Sequence, residues 1–254
     1  ESQKIWNEFE VINRHVLKEK MKMEQEGRAA YAQQNQMKLQ ALQQQFAKIA
    51  TDAEAKQLDL FKKYKDSFVS AFMIASGMQQ MDYVSLKTLY DMLGENVQAN
   101  FYGQLIARQL MALKQIEPGS VGPDFQGVTA AGETITLHGV KAKVKLVDFW
   151  ASWCGPCRAE MPNMVEIYKD FHAKGLEILG VSLDRKLEPW KEAIQKDGQS
   201  WLHCSDLKYW QSDIARMYVI NTIPQTLVLD ENNVIVARGL RGEELRTKLS
   251  ELLP

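Results

Sequence analysis

The chain has 254 residues, a net charge of −1, 45% hydrophobic residues and three cysteines. This length suits two domains, and the composition is ordinary for a soluble globular protein. The balanced charge gives no basic surface for nucleic acid, so we expect no nucleic-acid partner. No apolar run approaches the ~20 residues that span a membrane. The first residue is Glu1, which suggests a processed or trimmed product, and a missing front could have carried a targeting signal.

The first 117 residues contain no proline and only four of the fifteen glycines, so they hold few helix breakers. We predict amphipathic helices here instead of one long coiled coil, because the heptad pattern lasts for only about two repeats. The apolar stripes comprise Leu39, Leu42, Phe46, Ile49 and Ala53, then Phe61, Tyr64, Phe68 and Phe72. Further helices are predicted over 83–93, ended by Gly94, and from about Asn100 to Ile116. We place no catalytic chemistry in this half.

The segment Glu117–Pro123 holds two prolines and two glycines in seven residues, which is typical of a linker. We therefore predict a helical domain over 1–117 and a second domain over 118–254. In the second, strands are predicted at 134–140, 144–151 and 176–183, with a hairpin over 225–240. Helices are predicted at 157–175, 188–198, 212–220 and 242–254. This order predicts an α/β fold, a mixed sheet flanked by helices, preceded by an all-α region.

Cys154 and Cys157 form a Cys-x-x-Cys pair, a pattern found in zinc sites, haem attachment sites, structural disulfides and redox-active sites. Structural zinc needs four ligands, and the one other cysteine, Cys204, lies far along the chain. A c-type haem site needs His directly after the second cysteine, where Arg158 stands. A purely structural disulfide would close a tiny loop and gain little. We expect no metal.

A redox-active pair accounts for more of the sequence. Cys154 falls between a strand and a helix, where the helix N-terminus favours the thiolate that attacks disulfides. Cys157 lies on the same helix face and can resolve the mixed disulfide. Gly155 and Pro156 form a tight turn between them, and Pro162 should kink the helix. No cofactor beyond the Cys154–Cys157 disulfide is expected.

The segments "FWASWCGPCRAEMP", "KGLEILGVSLD" and "TIPQTLVLD" together resemble the TlpA/ResA-like branch of the thioredoxin superfamily, over about residues 121–253. The resemblance implies a thioredoxin-like fold and thiol:disulfide interchange in the bacterial periplasm or at the cell exterior. A helical region before such a domain resembles thiol:disulfide interchange proteins of Bacteroidetes. In those proteins a β-rich domain often precedes the helices, and no such segment is found in this sequence.

The resemblance also implies roles for individual residues. Cys154 matches the more exposed nucleophile and Cys157 the buried resolving cysteine. Ile223 and Pro224 match a loop in which a cis-proline lies against the disulfide, where it can pair with a substrate strand. Trp153 would flank the exposed sulfur as an apolar platform. The candidate substrate-binding residues are Trp153, Gly155, Pro156, Ile223 and Pro224.

Two carboxylates are candidates for proton transfer or for tuning the pKa of the cysteines. Asp148 matches the buried aspartate of thioredoxin, and burial should raise its pKa so that it exchanges a proton with Cys157. Glu160 matches the active-site glutamate of the ResA-like branch. Alternatively, Asp148 is a solvated residue at a strand edge and Glu160 an exposed helix carboxylate. The sequence leaves open which one handles the proton.

Four other residues bear on packing and on a rival chemistry. Trp150 is expected to be a packing residue, and Cys204 a structural or incidental thiol. A peroxiredoxin would need Pro-x-x-x-Thr before its cysteine, but Val147 and Ala151 occupy those positions, so a peroxidase is not expected.

We predict an extracytoplasmic thiol:disulfide oxidoreductase acting as a reductant on protein thiols and disulfides, with an upstream thiol electron donor. Two alternatives remain, a disulfide isomerase and a client-binding module that uses the helical domain. A homodimer through the helical region is a further hypothesis.

Overall fold

The computed structural model describes all 254 residues, Glu1–Pro254. The chain forms two compact units, Glu1–Leu110 and Met111–Pro254. The boundary between residues 117 and 118 stays a prediction. No helix is long and apolar enough to cross a membrane.

The N-terminal unit is helical throughout, as predicted. It contains α1 (Ser2–Ala32), α2 (Gln36–Lys63), α3 (Phe68–Gly77), α4 (Tyr83–Asp91), α5 (Glu95–Gln98) and most of α6 (Phe101–Lys114), whose last residues belong to the second unit. Gly94 does not close α4 in a left-handed conformation. It stands directly before α5 with φ −65°, and α4 ends at Asp91.

Helices α1 and α2 form an antiparallel hairpin joined by a short turn. Asn35 begins α2, and its side chain accepts a hydrogen bond from the backbone N–H of Lys38 at 2.9 Å. The start of α1 meets the end of α2, where the rings of Phe9 and Phe61 lie 4.9 Å apart. The hydroxyl of Tyr64 donates to Glu8 at 2.7 Å.

The predicted apolar stripes are only partly buried. Leu42 and Ala53 are buried, whereas the other members of the first stripe are half-buried, because two helices offer each other only one narrow seam. The second stripe is broken, since α2 ends at Lys63 and Ser67 starts α3 by accepting from the N–H of Val69. Phe68 is consequently exposed.

The second unit holds one mixed sheet of seven strands. These are β1 (Gln126–Val128), β2 (Thr134–Thr136), β3 (Val144–Trp150), β4 (Leu176–Ser182), β5 (Leu202–Ser205), β6 (Gln225–Asp230) and β7 (Ile235–Arg238). Their order is β2-β1-β5-β4-β3-β6-β7. Strands β3, β4 and β5 run parallel, and β6 is antiparallel to β3. All seven residues of β3 are buried, as its apolar run predicts.

The helices of this unit are α7 (Gly155–Phe171), α8 (Leu187–Lys196), α9 (Asp213–Met217) and α10 (Gly242–Leu252). They match the predicted helices, and α7 is followed by a short 3-10 turn that ends at Gly175 with φ +116°. The predicted α/β fold with a helical N-terminal region is confirmed.

Three features of the sheet differ from the predictions. The segment predicted as a linker is partly paired, since Gly119 donates to Ile235 and Gly122 to Asn233, both at 2.8 Å. The strand predicted over 134–140 ends at Thr136, because the N–H groups of Gly139 and Val140 bond back into a turn. Strand β5 was not predicted, because its four residues include a histidine and give no clear alternation.

Candidate active site

Cys154 and Cys157 are joined by a disulfide at the start of α7, with their Cα atoms 5.2 Å apart. Strand β3 ends at Trp150, and a short turn brings Cys154 to the position that precedes the helix. The backbone N–H of Cys157 donates to Cys154 Sγ at 3.2 Å. Cys154 is 5% exposed and Cys157 is fully buried. The helix N-terminus thus favours negative charge on Cys154, the cysteine that solvent can reach.

Side chains from distant segments hold the turn before Cys154. Arg158 donates to the carbonyl oxygen of Ser152 at 3.1 Å and forms a bidentate ion pair with Asp197. The backbone N–H of Ser152 donates to the buried Asp184 at 3.0 Å. These contacts fix the backbone next to the disulfide on both sides.

Asp148, in the middle of β3, is buried behind the disulfide. It faces a small cavity of about 10 Å³, roughly the space that one water molecule requires. Burial raises the pKa of Asp148 to about 7, and the nearby charge of Glu160 acts in the same direction. The guanidinium of Arg241 opposes both effects and lowers this pKa. The cavity is lined by Asp148, Cys157, Glu160, Met161, Met164, Pro224, Thr226, Leu240, Arg241 and Leu245.

Glu160 is half-buried on α7 and is held by two N–H donors. Its Oε1 accepts from the side chain of Asn163 at 2.7 Å and from the backbone of Gly242 at 3.0 Å. Gly242 is the first residue of α10, so the positive end of that helix faces the Glu160 carboxylate. Glu160 is therefore not the solvated helix residue of the alternative hypothesis.

The Ile223–Pro224 peptide bond is cis, as predicted. Pro224 is buried and lines the same cavity as Cys157. Arg241 donates from its guanidinium to the carbonyl oxygen of Pro224, so the loop is attached to the start of α10. Ile223 is half-buried and stands just before β6.

Trp153, the residue directly before Cys154, is 45% exposed. Gly155 and Pro156, between the two cysteines, are also exposed. These three residues flank Cys154 along the chain and are far more exposed than the disulfide itself. Their roles in substrate binding stay predictions.

Trp150 and Cys204 do not line the cavity at the disulfide. Trp150 is fully buried in β3, which confirms its packing role. Cys204 is an unpaired, fully buried cysteine in β5. Burial raises the pKa of its thiol to about 12. The structure contains no group of three or more His, Cys, Asp or Glu side chains that could hold a metal ion.

The structure thus gathers Cys157, Asp148, Glu160 and Pro224 at one cavity, which Trp153 does not line. Sequence reasoning missed Arg241, which lines the cavity from the far end of the chain. In the sequence, Arg241 is recognisable only as the residue before the final helix, and that position does not show which part of the protein it contacts.

A disulfide at the start of the helix that follows a central strand, beside a cis-proline, defines the thioredoxin-like class of oxidoreductase. Residues 118–238 match the AhpC/TSA family. The thiol-disulfide oxidoreductase ResA of Oceanobacillus iheyensis is 43% identical over 54% of this chain and 73% of its own length. The chain belongs to the TlpA/ResA-like thiol-disulfide oxidoreductases.

Two solved structures are similar to the second unit. The thioredoxin domain of a thiol-disulfide oxidoreductase from Bacteroides vulgatus is 36% identical, with a TM-score of 0.51, over 54% of this chain and 99% of its own. A thiol-disulfide oxidoreductase from Bacteroides fragilis is 33% identical, with a TM-score of 0.50, over 53% of this chain and all of its own. These likenesses support the Bacteroidetes-type resemblance inferred from the sequence.

Proposed function

We propose that this enzyme reduces disulfides in client proteins with Cys154 as the nucleophile and Cys157 as the resolving thiol. The observation that carries this proposal is the disulfide at the start of α7, in which Cys154 is the less buried cysteine and Cys157 shares a cavity with the buried Asp148. The Gly155–Pro156 dipeptide, which resembles that of reducing thioredoxins, supports the direction of transfer.

In the forward reaction, the Cys154 thiolate attacks one sulfur of the client disulfide, and the other client sulfur leaves as a thiolate. Cys157 then loses its proton and attacks Cys154 Sγ, which releases the second client sulfur. Two electrons pass from the enzyme dithiol to the client, whose two thiolates each take up a proton. A donor dithiol restores the enzyme by the same exchange in reverse.

Asp148 is the proton acceptor for Cys157 in this scheme. A carboxyl whose pKa is about 7 can both take and release a proton near neutral pH. It lines the cavity that also contains Cys157. Glu160, held by the N–H groups of Asn163 and Gly242, acts through its charge on Asp148.

Trapping tests the roles of the two cysteines. The reduced Cys157→Ser protein should accumulate a mixed disulfide with a disulfide-bonded client, because nothing then releases Cys154. The Cys154→Ser protein should trap nothing, and Cys204→Ser is the matched control that should turn over like the unaltered enzyme. Equal trapping by the Cys154→Ser protein would overturn the assignment.

A redox titration tests the direction of transfer. Equilibration with glutathione buffers should give a reduction potential near that of thioredoxin, about −270 mV. A potential close to that of strong oxidants, about −120 mV, would exclude a reductant.

The place of action and the partners belong to the same proposal. We place the enzyme in the periplasm or cell envelope, where client disulfides persist, and cell fractionation tests this. The helical unit is proposed to recruit clients or to form a homodimer, and a mass measurement in solution tests the dimer.

A further inference from the structure

Three aromatic side chains form a cluster beside the nucleophile, here called the aromatic rim: the exposed Trp153 and Trp210 and the half-buried Tyr209. The ring of Trp153 lies 4.9 Å from Tyr209 and 6.1 Å from Trp210, and the latter two are 6.0 Å apart. Trp153 is 45% exposed and Trp210 is 37% exposed. Large apolar rings that remain in solvent beside a reactive group mark an interaction surface.

The backbone holds the aromatic rim in place. Leu207 and Tyr209 have φ of +55° and +59°, conformations that cost energy for residues other than glycine. The N–H of Leu207 donates to the buried Ser205 at 3.0 Å, which anchors this segment to the end of β5. On the other side, Ser152 is held by the buried Asp184. The surface is therefore preorganised before any partner arrives.

The aromatic rim also carries a free positive charge. The guanidinium of Arg185 lies 4.3 Å from the centre of the Tyr209 ring, and Arg185 is exposed. It forms no ion pair in the structure. Nearby, Lys208 and Arg216 both form ion pairs with Asp213. A partner lying on the rim would therefore meet an unneutralised cation next to apolar rings.

We propose that the aromatic rim and Arg185 dock the cysteine-bearing segment of the client, and that they favour a segment with an apolar side chain and a carboxylate near that cysteine. This inference rests on the proposed function. When a client sulfur is bonded to Cys154, the client residues next to that sulfur lie alongside Trp153, because Trp153 directly precedes Cys154. The rings accept the apolar side chain, and the guanidinium pairs with the carboxylate.

Single-turnover reduction of synthetic peptides tests this preference. Each peptide carries one cysteine joined in a disulfide to 2-mercaptoethanol, with a leucine beside it and either aspartate or lysine at the next position. A third peptide replaces the leucine of the aspartate peptide with serine. Bis(2-hydroxyethyl) disulfide, which is small and neutral, reports the intrinsic exchange rate of each protein.

The unaltered enzyme should reduce the aspartate peptide about fivefold faster than the lysine peptide, the ratio expected of one exposed ion pair. The Arg185→Glu protein should reverse this preference. Lys169→Glu, the matched control, makes the same charge change on an exposed residue in the last turn of α7, ~20 Å along the helix from its start. It should leave the ratio unchanged.

The Trp210→Ala protein should lose the advantage of the leucine peptide over the serine peptide. All four proteins should reduce bis(2-hydroxyethyl) disulfide at equal rates. If the unaltered enzyme reduces that reagent but treats the aspartate and lysine peptides alike, the docking proposal is wrong while the proposed function stands. Failure to reduce the reagent at all would instead remove the proposed function.

Discussion

Replacing Asp148 with asparagine should change how the stability of the oxidised protein depends on pH. Asp148 is buried, and its pKa in the folded protein is about 7, against an ordinary value of 3.8. Below about pH 4 the carboxyl is protonated in both the folded and the unfolded chain, so its contribution to stability is fully present. As the pH rises, the unfolded chain loses this proton first, and stability falls until the folded protein also ionises near pH 7.

The size of this effect follows from the shift of about three pH units. Each unit corresponds to about 1.4 kcal/mol, so the free energy of unfolding should fall by about 4 kcal/mol between pH 4 and pH 8 because of this carboxyl alone. Asparagine does not titrate. The free energy of unfolding of the Asp148→Asn protein, relative to the unaltered protein, should therefore rise by about 4 kcal/mol over the same range.

Urea unfolding at pH values from 4 to 8, without reductant, measures this difference. Tryptophan fluorescence suits the measurement, because five of the six tryptophans belong to the second unit and only Trp6 to the first. The Glu192→Gln protein is the control, since this carboxylate on α8 is exposed and unpaired. A difference between the Asp148→Asn and unaltered proteins that stays constant across the pH range would refute the assignment of a raised pKa to Asp148.

Three further predictions concern Arg241, Cys204 and Gly127. Arg241→Gln removes the charge that lowers the pKa of Asp148, so the loss of stability should extend to a higher pH in the same urea titration; an unchanged profile would contradict it. Cys204 should resist iodoacetamide in the reduced, folded protein while Cys154 reacts, because burial raises the pKa of the Cys204 thiol to about 12; equal labelling in a mass spectrum would refute this. Gly127→Ala should lower the free energy of unfolding by about 1–3 kcal/mol, since the added carbon would lie 2.6 Å from the sulfur of Cys204. Adding Cys204→Ala should partly restore the free energy of unfolding of the Gly127→Ala protein. If the effects of the two substitutions on that free energy simply add, this contradicts the contact.

Local sequence was sufficient for much of this protein. The helical N-terminal unit, the central strands and the terminal hairpin are all encoded in apolar periodicity and in proline and glycine positions. The apolar run of β3 predicted that Asp148 would be buried and that its pKa would rise. The order of strand, cysteine pair and helix placed Cys154 at a helix start.

Other outcomes needed the packed chain. The apolar stripes gave helices but could not show that α2 ends at Lys63, because the capping of α3 by Ser67 overrides the continued spacing. The positions of Asp148 and Glu160 in the sequence likewise could not show how the two carboxylates differ. Burial is the largest cause of the raised pKa of Asp148, whereas Glu160 accepts a hydrogen bond from the N–H group that starts α10.

What the sequence by itself determined is therefore the redox pair and its place at the start of a helix, since both depend on neighbours within a few positions. What only the tertiary structure decided is the electrostatic and apolar environment of that pair. Arg241 reaches Pro224, and Trp153 meets Tyr209 and Trp210. These partners are far apart along the chain, and only the packing of the sheet and its helices brings their charges and rings together.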